Sequence, residues 1–501
     1  MVDLAFLYVL TDIVGVWYMI SVGLAFLAAY FVSFSLQKFW TFRDSGREKI
    51  YRQMSLYFIV GVANLFLNAA GMYSLVEYFS TQYLLAQIIV GAVLGLGNLG
   101  IYRFIIFEKK RIGAKTKKRV LIISGAFPPE IGGPASLLAN LVPSLLEKGY
   151  EITVLTYGDV QDDLPYRVVR ISLAQKKFFR IFRLVKNAIF LSFRNDQIYA
   201  LDTYWPGFSA WIASKISGRR LVARFTGDVA WETASNLNLT RDDIVTFQKK
   251  FINLKISVLK WCRNRILKSC QAVITDCFFL KNLLESFGVK KDRIMVVHNS
   301  VEYLARPTGF SADVFRKNNN LKGKVIVTVG RLVPWKGLEK ILEILPELNK
   351  EFSGISLIII GEGPELENLK EKAGQLKKEP NLDVRFLGRL PRAEVIPWYL
   401  SADAYVLNSN YEGIAHTLVE ALYFGAPIVA TNAGGTPEII TNEYNGLVFK
   451  YNQEDEMKAC LRRVLSDNNL VEKLKNNAKE KLANDFVWEK VVEAHLEALK
   501  I

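Results

Sequence analysis

Three stretches of the first hundred residues hold no charged side chain: 13–37, 53–76 and 78–102, of 25, 24 and 25 residues. A helix that crosses a bilayer needs ~20 apolar residues at 1.5 Å each, so each stretch predicts a membrane-spanning helix. The eight uncharged residues 4–11 are too short to span. With no basic segment ahead of them and no cleavage signal behind, they do not read as a signal peptide. Past residue 118 the pattern changes. Apolar runs at 119–126 and 152–157 flank a helical period carried by Leu137, Leu138, Leu141, Leu145 and Leu146 and closed by Lys148-Gly149. That is a β-loop-α-β start. A second series of runs at 325–329, 357–360, 384–387, 404–407 and 428–430 has helical spacing between its members, which predicts a doubly wound parallel sheet. Two such units in tandem imply a cleft between them, the usual place for a ligand.

The apolar region repeats itself. A shift of 65 aligns Tyr8 with Tyr73, Asp12 with Glu77, Tyr18 with Tyr83, Phe39 with Phe104 and Phe42 with Phe107, without gaps. Each repeat is a helix pair that ends in a cationic, aromatic cluster, Lys38-Phe39-Trp40-Thr41-Phe42 and then Arg103-Phe104-Ile105-Ile106-Phe107. Against the second repeat the first helix is short, so either the reading frame starts further upstream or helix one is degenerate. The 43–52 loop and the 103–119 segment are basic, whereas the turns at 11–12 and 77–82 have no Lys or Arg. The positive-inside rule places both basic segments in the cytoplasm. Lys38 and Arg103 then have two readings: plain interfacial anchors, or contacts to a polyprenyl phosphate.

Length and charge sharpen this division. The 501 residues suffice for about three domains, and 50% hydrophobic residues exclude a disordered or fibrous chain. The net charge of +15 is unevenly spread: residues 1–108 are neutral, 109–119 carry +7, 120–310 carry +10 and 311–501 carry −2. Within the third of these, 167–194 and 247–268 hold eight and seven basic residues and no acid, interleaved with Phe178, Phe182, Phe251 and Trp261. Basic amphipathic helices of this kind read as membrane-surface elements or as core helices with solvated basic backs. A nucleic-acid motif is not visible, so the membrane is the partner expected. The four cysteines, Cys262, Cys270, Cys277 and Cys460, lack C-x-x-C spacing and read as reduced thiols. The three histidines, His298, His416 and His495, are widely spaced, and no metal site is read from the sequence.

Chemistry concentrates in the last third. Gly330-Arg331-Leu332-Val333-Pro334-Trp335-Lys336-Gly337 follows the strand at 325–329 and opens a helix. Two cations at a strand's carboxyl end beside a helix N-terminus suit a diphosphate, Arg331 as a bidentate fork and Lys336 as a point charge. Glu412 and Glu420 stand eight apart, the first in a loop and the second on the next helix, and either can accept hydrogen bonds from sugar or ribose hydroxyls. Gly434-Gly435-Thr436-Pro437-Glu438 follows. In the first unit Gly132-Gly133 lets a backbone approach a ligand, or simply makes a tight turn.

The duplicated helix pairs with their Lys-Phe-Trp-Thr-Phe ending resemble the GtrA-like membrane family over residues 1–108, which implies an association with polyprenyl-phosphate-linked sugars. Residues 119–500 resemble glycosyltransferase family 4, retaining enzymes of GT-B fold that use nucleotide sugars, through Gly-Arg-Leu…Lys-Gly, Glu-x7-Glu and Gly-Gly-Thr-Pro-Glu. The resemblance implies that Arg331 and Lys336 bind the donor diphosphate, that Glu412 contacts the donor sugar and Glu420 the ribose, and that amides near Ile414 and Ala415 lie by the phosphates. Gly132 and Gly133 would line the cleft from the acceptor side. Two departures stand out. Where many members carry a His-Asp pair, Thr226-Gly227-Asp228 has the Asp alone, so Asp228 is either an acceptor-side residue or a structural loop aspartate. Gly413-Ile414-Ala415 replaces Gly-Phe-Gly, with His416 close behind, either a phosphate contact or a locally satisfied helix start.

The expected architecture is therefore an α/β GT-B pair of Rossmann-like domains behind an all-α transmembrane domain. Its parts are 1–108 in the membrane, 109–119 as a basic linker, 120–310 on the acceptor side and 311–484 on the nucleotide-sugar side. Residues 485–501 would form a helical segment packing back on the first Rossmann domain. The expected activity is metal-independent, retaining transfer from a nucleotide sugar, with no resident cofactor, to a polyprenyl-phosphate-linked glycan at the inner membrane, with the catalytic part cytosolic. The alternative is a translocator of polyprenyl-phosphate sugars whose GT-B part only binds them.

Overall fold

A computed structural model describes residues 9–16, 18–41, 50–78, 82–102, 106, 118–130, 132–161, 163–300, 305 and 307–500. Arg103 and residues 109–117 of the basic linker lie outside the described residues. The chain divides into two units, Met1–Thr116 and Lys117–Ile501.

In the first unit each of the three uncharged stretches forms a helix: Tyr18–Ser35, Ile50–Tyr73 and Tyr83–Ile101. Among the described residues one helical run, Ile50–Tyr78, is long and apolar enough to cross a membrane by length and composition. The other two helices have 18 and 19 residues, fewer than the uncharged stretches that contain them, and the first runs directly into a π-helical segment, Leu36–Thr41. Polar contacts tie the helices together. Asn64 Nδ2 donates to Asn98 Oδ1 at 3.0 Å, and Tyr30 Oη donates to the Met54 carbonyl at 2.5 Å. At Gly71 a Cβ would meet Val90 at 3.0 Å, so a small residue is what lets these two helices approach. Lys38 corrects the reading of a lipid-facing cation. It is fully buried, and its Nζ donates to Gln53 Oε1 at 2.6 Å, while Gln53 Nε2 donates to the Ile106 carbonyl at 2.9 Å. A buried ammonium is tolerated only with such partners, and here they join the ends of the two repeats.

The second unit holds two parallel sheets. The first has β1 Arg119–Ile123, β2 Glu151–Tyr157, β3 Arg167–Ile171, β4 Gln197–Ala200, β5 Arg220–Phe225, β6 Ala272–Thr275 and β7 Ile294–Val296, in the order β3-β2-β1-β4-β5-β6-β7. The second has β8 Lys324–Val329, β9 Ile355–Ile360, β10 Leu382–Phe386, β11 Ala404–Leu407, β12 Ile428–Thr431 and β13 Leu447–Phe449, in the order β10-β9-β8-β11-β12-β13. Central strands such as β4, β9 and β11 are buried along their whole length. Helices cover both faces of a parallel sheet, so such strands read as unbroken apolar runs. In each sheet the chain reverses its direction of travel between the first and fourth strands, and loops at the carboxyl ends there form the crevice where α/β proteins bind ligands. The last helix, Trp488–Ala498, returns to the first sheet's domain: Val491, Ala498 and Leu499 share a core with Leu138 and Leu141, and Gln197 Nε2 donates to the Leu499 carbonyl at 2.9 Å.

Candidate active site

The residues that follow β1, β5, β6, β8 and β11 meet around one cleft of about 270 Å³, open to solvent, near the lower end of the usual size of a small-molecule site. Gly133 and Pro134 line it from the helix after β1, and Arg224, Thr226, Glu232 and Asp276 from β5, β6 and the loops beyond. Facing them are Gly330, Arg331, Trp335 and Lys336 after β8, and the run from Tyr411 to Thr417 after β11.

Local geometry explains why the cations sit here. A single helical turn, Pro334–Lys336, follows β8, and Gly337 then takes φ +55° before the helix Leu338–Phe352 begins. A Cβ on Gly337 would lie 2.6 Å from Asn408 Nδ2 and 2.7 Å from the Asn408 carbonyl oxygen, so only glycine permits both the left-handed turn and the approach to β11. The ammonium of Lys336 pairs with the carboxylate of Glu412, both side chains largely buried. Arg331 reaches across the cleft, Nη1 lying 3.2 Å from Glu232 Oε2. Burial raises the Glu232 carboxyl, while Arg331 opposes that shift. Trp231 from the first domain packs between Trp335 and Tyr411 of the second, with ring centroids at 5.0 and 5.2 Å.

The Gly-Gly-Thr-Pro-Glu run braces this arrangement. Gly434 has φ +59°, and a Cβ there would fall 2.0 Å from the Glu412 carbonyl oxygen. The Gly435 amide donates to that same oxygen at 2.9 Å. Glu438 extends to the other domain, where its oxygens accept the Phe278 and Phe279 amides at 3.0 and 3.1 Å and pair with His298 Nε2 at 3.0 Å. Burial is outweighed by these donors, and the Glu438 carboxyl is lowered.

The floor of the cleft is a polar chain. Arg224 Nη2 donates to Asn299 Oδ1 at 2.5 Å, which fixes the amide so that Asn299 Nδ2 donates to His416 Nε2 at 3.1 Å. The His416 proton therefore sits on Nδ1, which is buried without a hydrogen-bond partner among the described residues. Burial, with Arg224 and Arg392 nearby, pushes His416 down to about 3. It is a neutral donor at ordinary pH. Beside it Asp276 is 3% exposed and pushed up to about 6 by burial, against the pull of Arg224 and of the Ile414 amide it accepts.

Not every residue anticipated from sequence gathers here. Arg331, Lys336, Glu412, Ile414, Ala415 and Gly133 line the cleft, and His416 joins them. Gly132 immediately precedes the helix Gly133–Glu147 and is not among the lining residues. The Ile414 amide is taken by Asp276, leaving the helix start at Ala415 and His416 as the local anion-friendly end. Glu420 is buried away from the lining, with Oε1 2.6 Å from Arg392 Nη2 and Oε2 accepting Tyr399 Oη at 3.3 Å; burial raises its carboxyl. Asp228 is corrected outright as a cleft residue. It is fully buried; Oδ1 caps the helix Val229–Asn236 through the Ala230 amide at 3.0 Å, and Oδ2 accepts Gln248 Nε2 at 2.8 Å and pairs with Arg263. The acid that does face the cleft is Glu232, one helical turn on. Local spacing does not single it out: a capping box places its acid three residues after the cap, and Glu232 stands four after Asp228.

The model of the glycosyl transferases group 1 family matches residues 310–481, that of glycosyltransferase family 4 matches 131–303, and that of the GtrA/DPMS transmembrane domain matches 1–107. An uncharacterized glycosyltransferase of Methanocaldococcus jannaschii is 31% identical over 235 residues, 46% of this chain and 58% of that protein, so the chain spans little more than half of that relative. A GDP-mannose-dependent alpha-(1-6)-phosphatidylinositol monomannoside mannosyltransferase of Mycobacterium tuberculosis is 25% identical, covering 70% of this chain and 89% of its own. In fold, a sucrose-phosphate synthase from Thermosynechococcus elongatus superposes with a TM-score of 0.63 at 19% identity, over 76% of this chain and 98% of its own. The chain thus carries a glycosyltransferase family 4 domain and a glycosyl transferases group 1 domain in GT-B architecture, with a GtrA/DPMS-type transmembrane domain at its amino-terminal side.

Proposed function

We propose that the chain transfers a sugar from a nucleotide-sugar donor to a polyprenyl-phosphate-linked acceptor at the cytoplasmic face of the membrane, with retention of configuration and without a metal. The observation that carries this reading is the pair Arg331 and Lys336, set by β8 at the lip of a cleft between two parallel sheets. As the bond from the sugar to the diphosphate breaks, negative charge grows on the departing phosphate. Cations already fixed in place stabilise that charge more than the ground state. Lys336 is held by Glu412 and Arg331 by Glu232, so an arriving diphosphate exchanges carboxylate partners for phosphate oxygens. That exchange frees Glu412 to accept a hydrogen bond from a sugar hydroxyl. The new bond forms from the acceptor hydroxyl to the sugar carbon on the face the diphosphate leaves, and the hydroxyl proton passes to the departing phosphate oxygen. The relative from M. tuberculosis, whose name gives a nucleotide-sugar donor and a lipid-linked acceptor, supports both substrate classes, and the GtrA/DPMS match supports a lipid carrier.

Purified full-length protein, given labelled nucleotide sugars and polyprenyl-phosphate lipids, should yield lipid-extractable label. Lys336→Ala and Glu412→Gln should each lower kcat/KM by ~10²-fold or more, the size of losing one preorganised electrostatic contact. Undiminished transfer by both variants contradicts the reading. A translocator whose GT-B part only binds the sugar lipid would move it across proteoliposomes while forming no new glycosidic bond.

A further inference from the structure

One surface of the first sheet's domain is unused by the cleft. The helices Lys177–Ser192, Trp205–Ser217 and Leu254–Ser269 lie side by side and bury Leu184, Ala188, Ala210, Ala213, Ile256 and Ile266 in one core. A helix that buries one stripe ordinarily turns polar side chains outward. Here Phe178, Phe179 and Phe182 are 74%, 57% and 60% exposed, and Phe251, Leu254 and Trp261 are 76%, 75% and 54% exposed. Arg183, Lys186, Lys255 and Arg265 stand exposed among them. Two cations of these segments serve the fold instead: Arg263 pairs with buried Asp228, and Lys260 donates to the Phe247 and Lys250 carbonyls.

We propose that this helical layer docks on the anionic headgroup region of a lipid bilayer, its aromatic side chains entering the interface and its cations meeting lipid phosphates. Three observations commit the surface to that occupant. Aromatic rings interleaved with Lys and Arg match both the apolar and the anionic components of a membrane interface. Acids are absent from 167–194 and 247–268, so a second copy would bring two basic faces together against their repulsion. The same chain carries a transmembrane domain, which keeps a bilayer within reach. The proposal rests on that membrane domain and not on the transferase reading.

Hydroxyl-radical footprinting of the full chain reads the side chains directly. In nanodiscs of phosphatidylcholine with phosphatidylglycerol, oxidation of Phe178, Phe179, Phe182 and Trp261 should fall several-fold relative to phosphatidylcholine alone, and raised salt should restore it. Tyr444, on the second domain and 36% exposed, should not change. A charge-reversed variant, Arg183→Glu with Lys186→Glu and Arg265→Glu, should lose the protection, with unchanged oxidation of buried Trp231 showing that the fold is kept. Equal oxidation in both lipids overturns the proposal, as does protection that rises with protein concentration in detergent, which marks a second copy. No glycosyl transfer is measured, so failure of the enzymatic reading leaves this result interpretable.

Discussion

Asp228 and Glu232 sit one helical turn apart and face opposite environments. Asp228 caps a helix and pairs with Arg263, whose guanidinium lies 3.6 Å from the Phe287 ring centroid, whereas Glu232 crosses the cleft to Arg331. Sequence alone could not separate them, because a capping aspartate and an acceptor-side aspartate use the same residue in the same loop; what differs is a long-range partner 35 residues away. The geometry predicts opposite consequences. Asp228→Ala leaves the Arg263 charge buried and unpaired, a loss of about 3–5 kcal/mol of stability, read as a lowered melting temperature. Glu232→Gln should change stability by less than about 1 kcal/mol, as befits a partly exposed pair, and should alter donor KM. The cationic pair was legible for a different reason. Arg331 and Lys336 are fixed by backbone that their own neighbours determine, a strand, a one-turn helix and Gly337 at φ +55°, so local sequence carried the information.

At the scale of elements, long uninterrupted apolar runs announced their strands, and most of the second sheet followed from them. The strand β13 escaped because it has three residues, too few for a period to show. In the first sheet only β1 and β2 were read, and β3 to β7 escaped; in β3, Arg167 and Arg170 interrupt the apolar run. The terminal helix Trp488–Ala498 is held by His495, whose Nδ1 lies 2.7 Å from the Val491 carbonyl and whose Nε2 lies 3.1 Å from Tyr199 Oη. Burial pushes this imidazole down to about 4, the Val491 carbonyl opposing the shift. A histidine lowered on folding binds fewer protons than it does unfolded, between about pH 6.5 and 4. Its contribution is therefore whole above pH 6.5 and is lost as pH falls toward 4, by at most about 3 kcal/mol. His495→Gln should flatten the acid side of the melting-temperature profile over that window while leaving the slope above pH 7 alone. An unchanged acid limb would mean that other groups govern it.

For the molecule as a whole, charge and chemistry occupy different places. Much of the positive charge of residues 120–310 lies on helices whose exposed faces carry aromatic residues, away from the cleft, while the domain proposed to meet a diphosphate is slightly acidic overall and would rely on two placed cations. On the proposed reading, net charge follows the docking surface and not the substrate. The domain pair was readable because each doubly wound sheet is a local, sequential construction. How the pair closes was not readable, since it depends on Glu438 reaching the Phe278 and Phe279 amides and on Trp231 packing against Trp335 and Tyr411, contacts between segments far apart in the chain. The most direct test of the donor site is calorimetric titration of the full-length protein with UDP, GDP and the corresponding nucleosides. The diphosphates should bind at least tenfold more tightly than the nucleosides, a difference of about 1.4 kcal/mol or more, and Lys336→Ala combined with Arg331→Ala should erase it. Equal affinity of nucleoside and diphosphate for the wild-type protein, or a difference that survives the double substitution, would contradict the assignment.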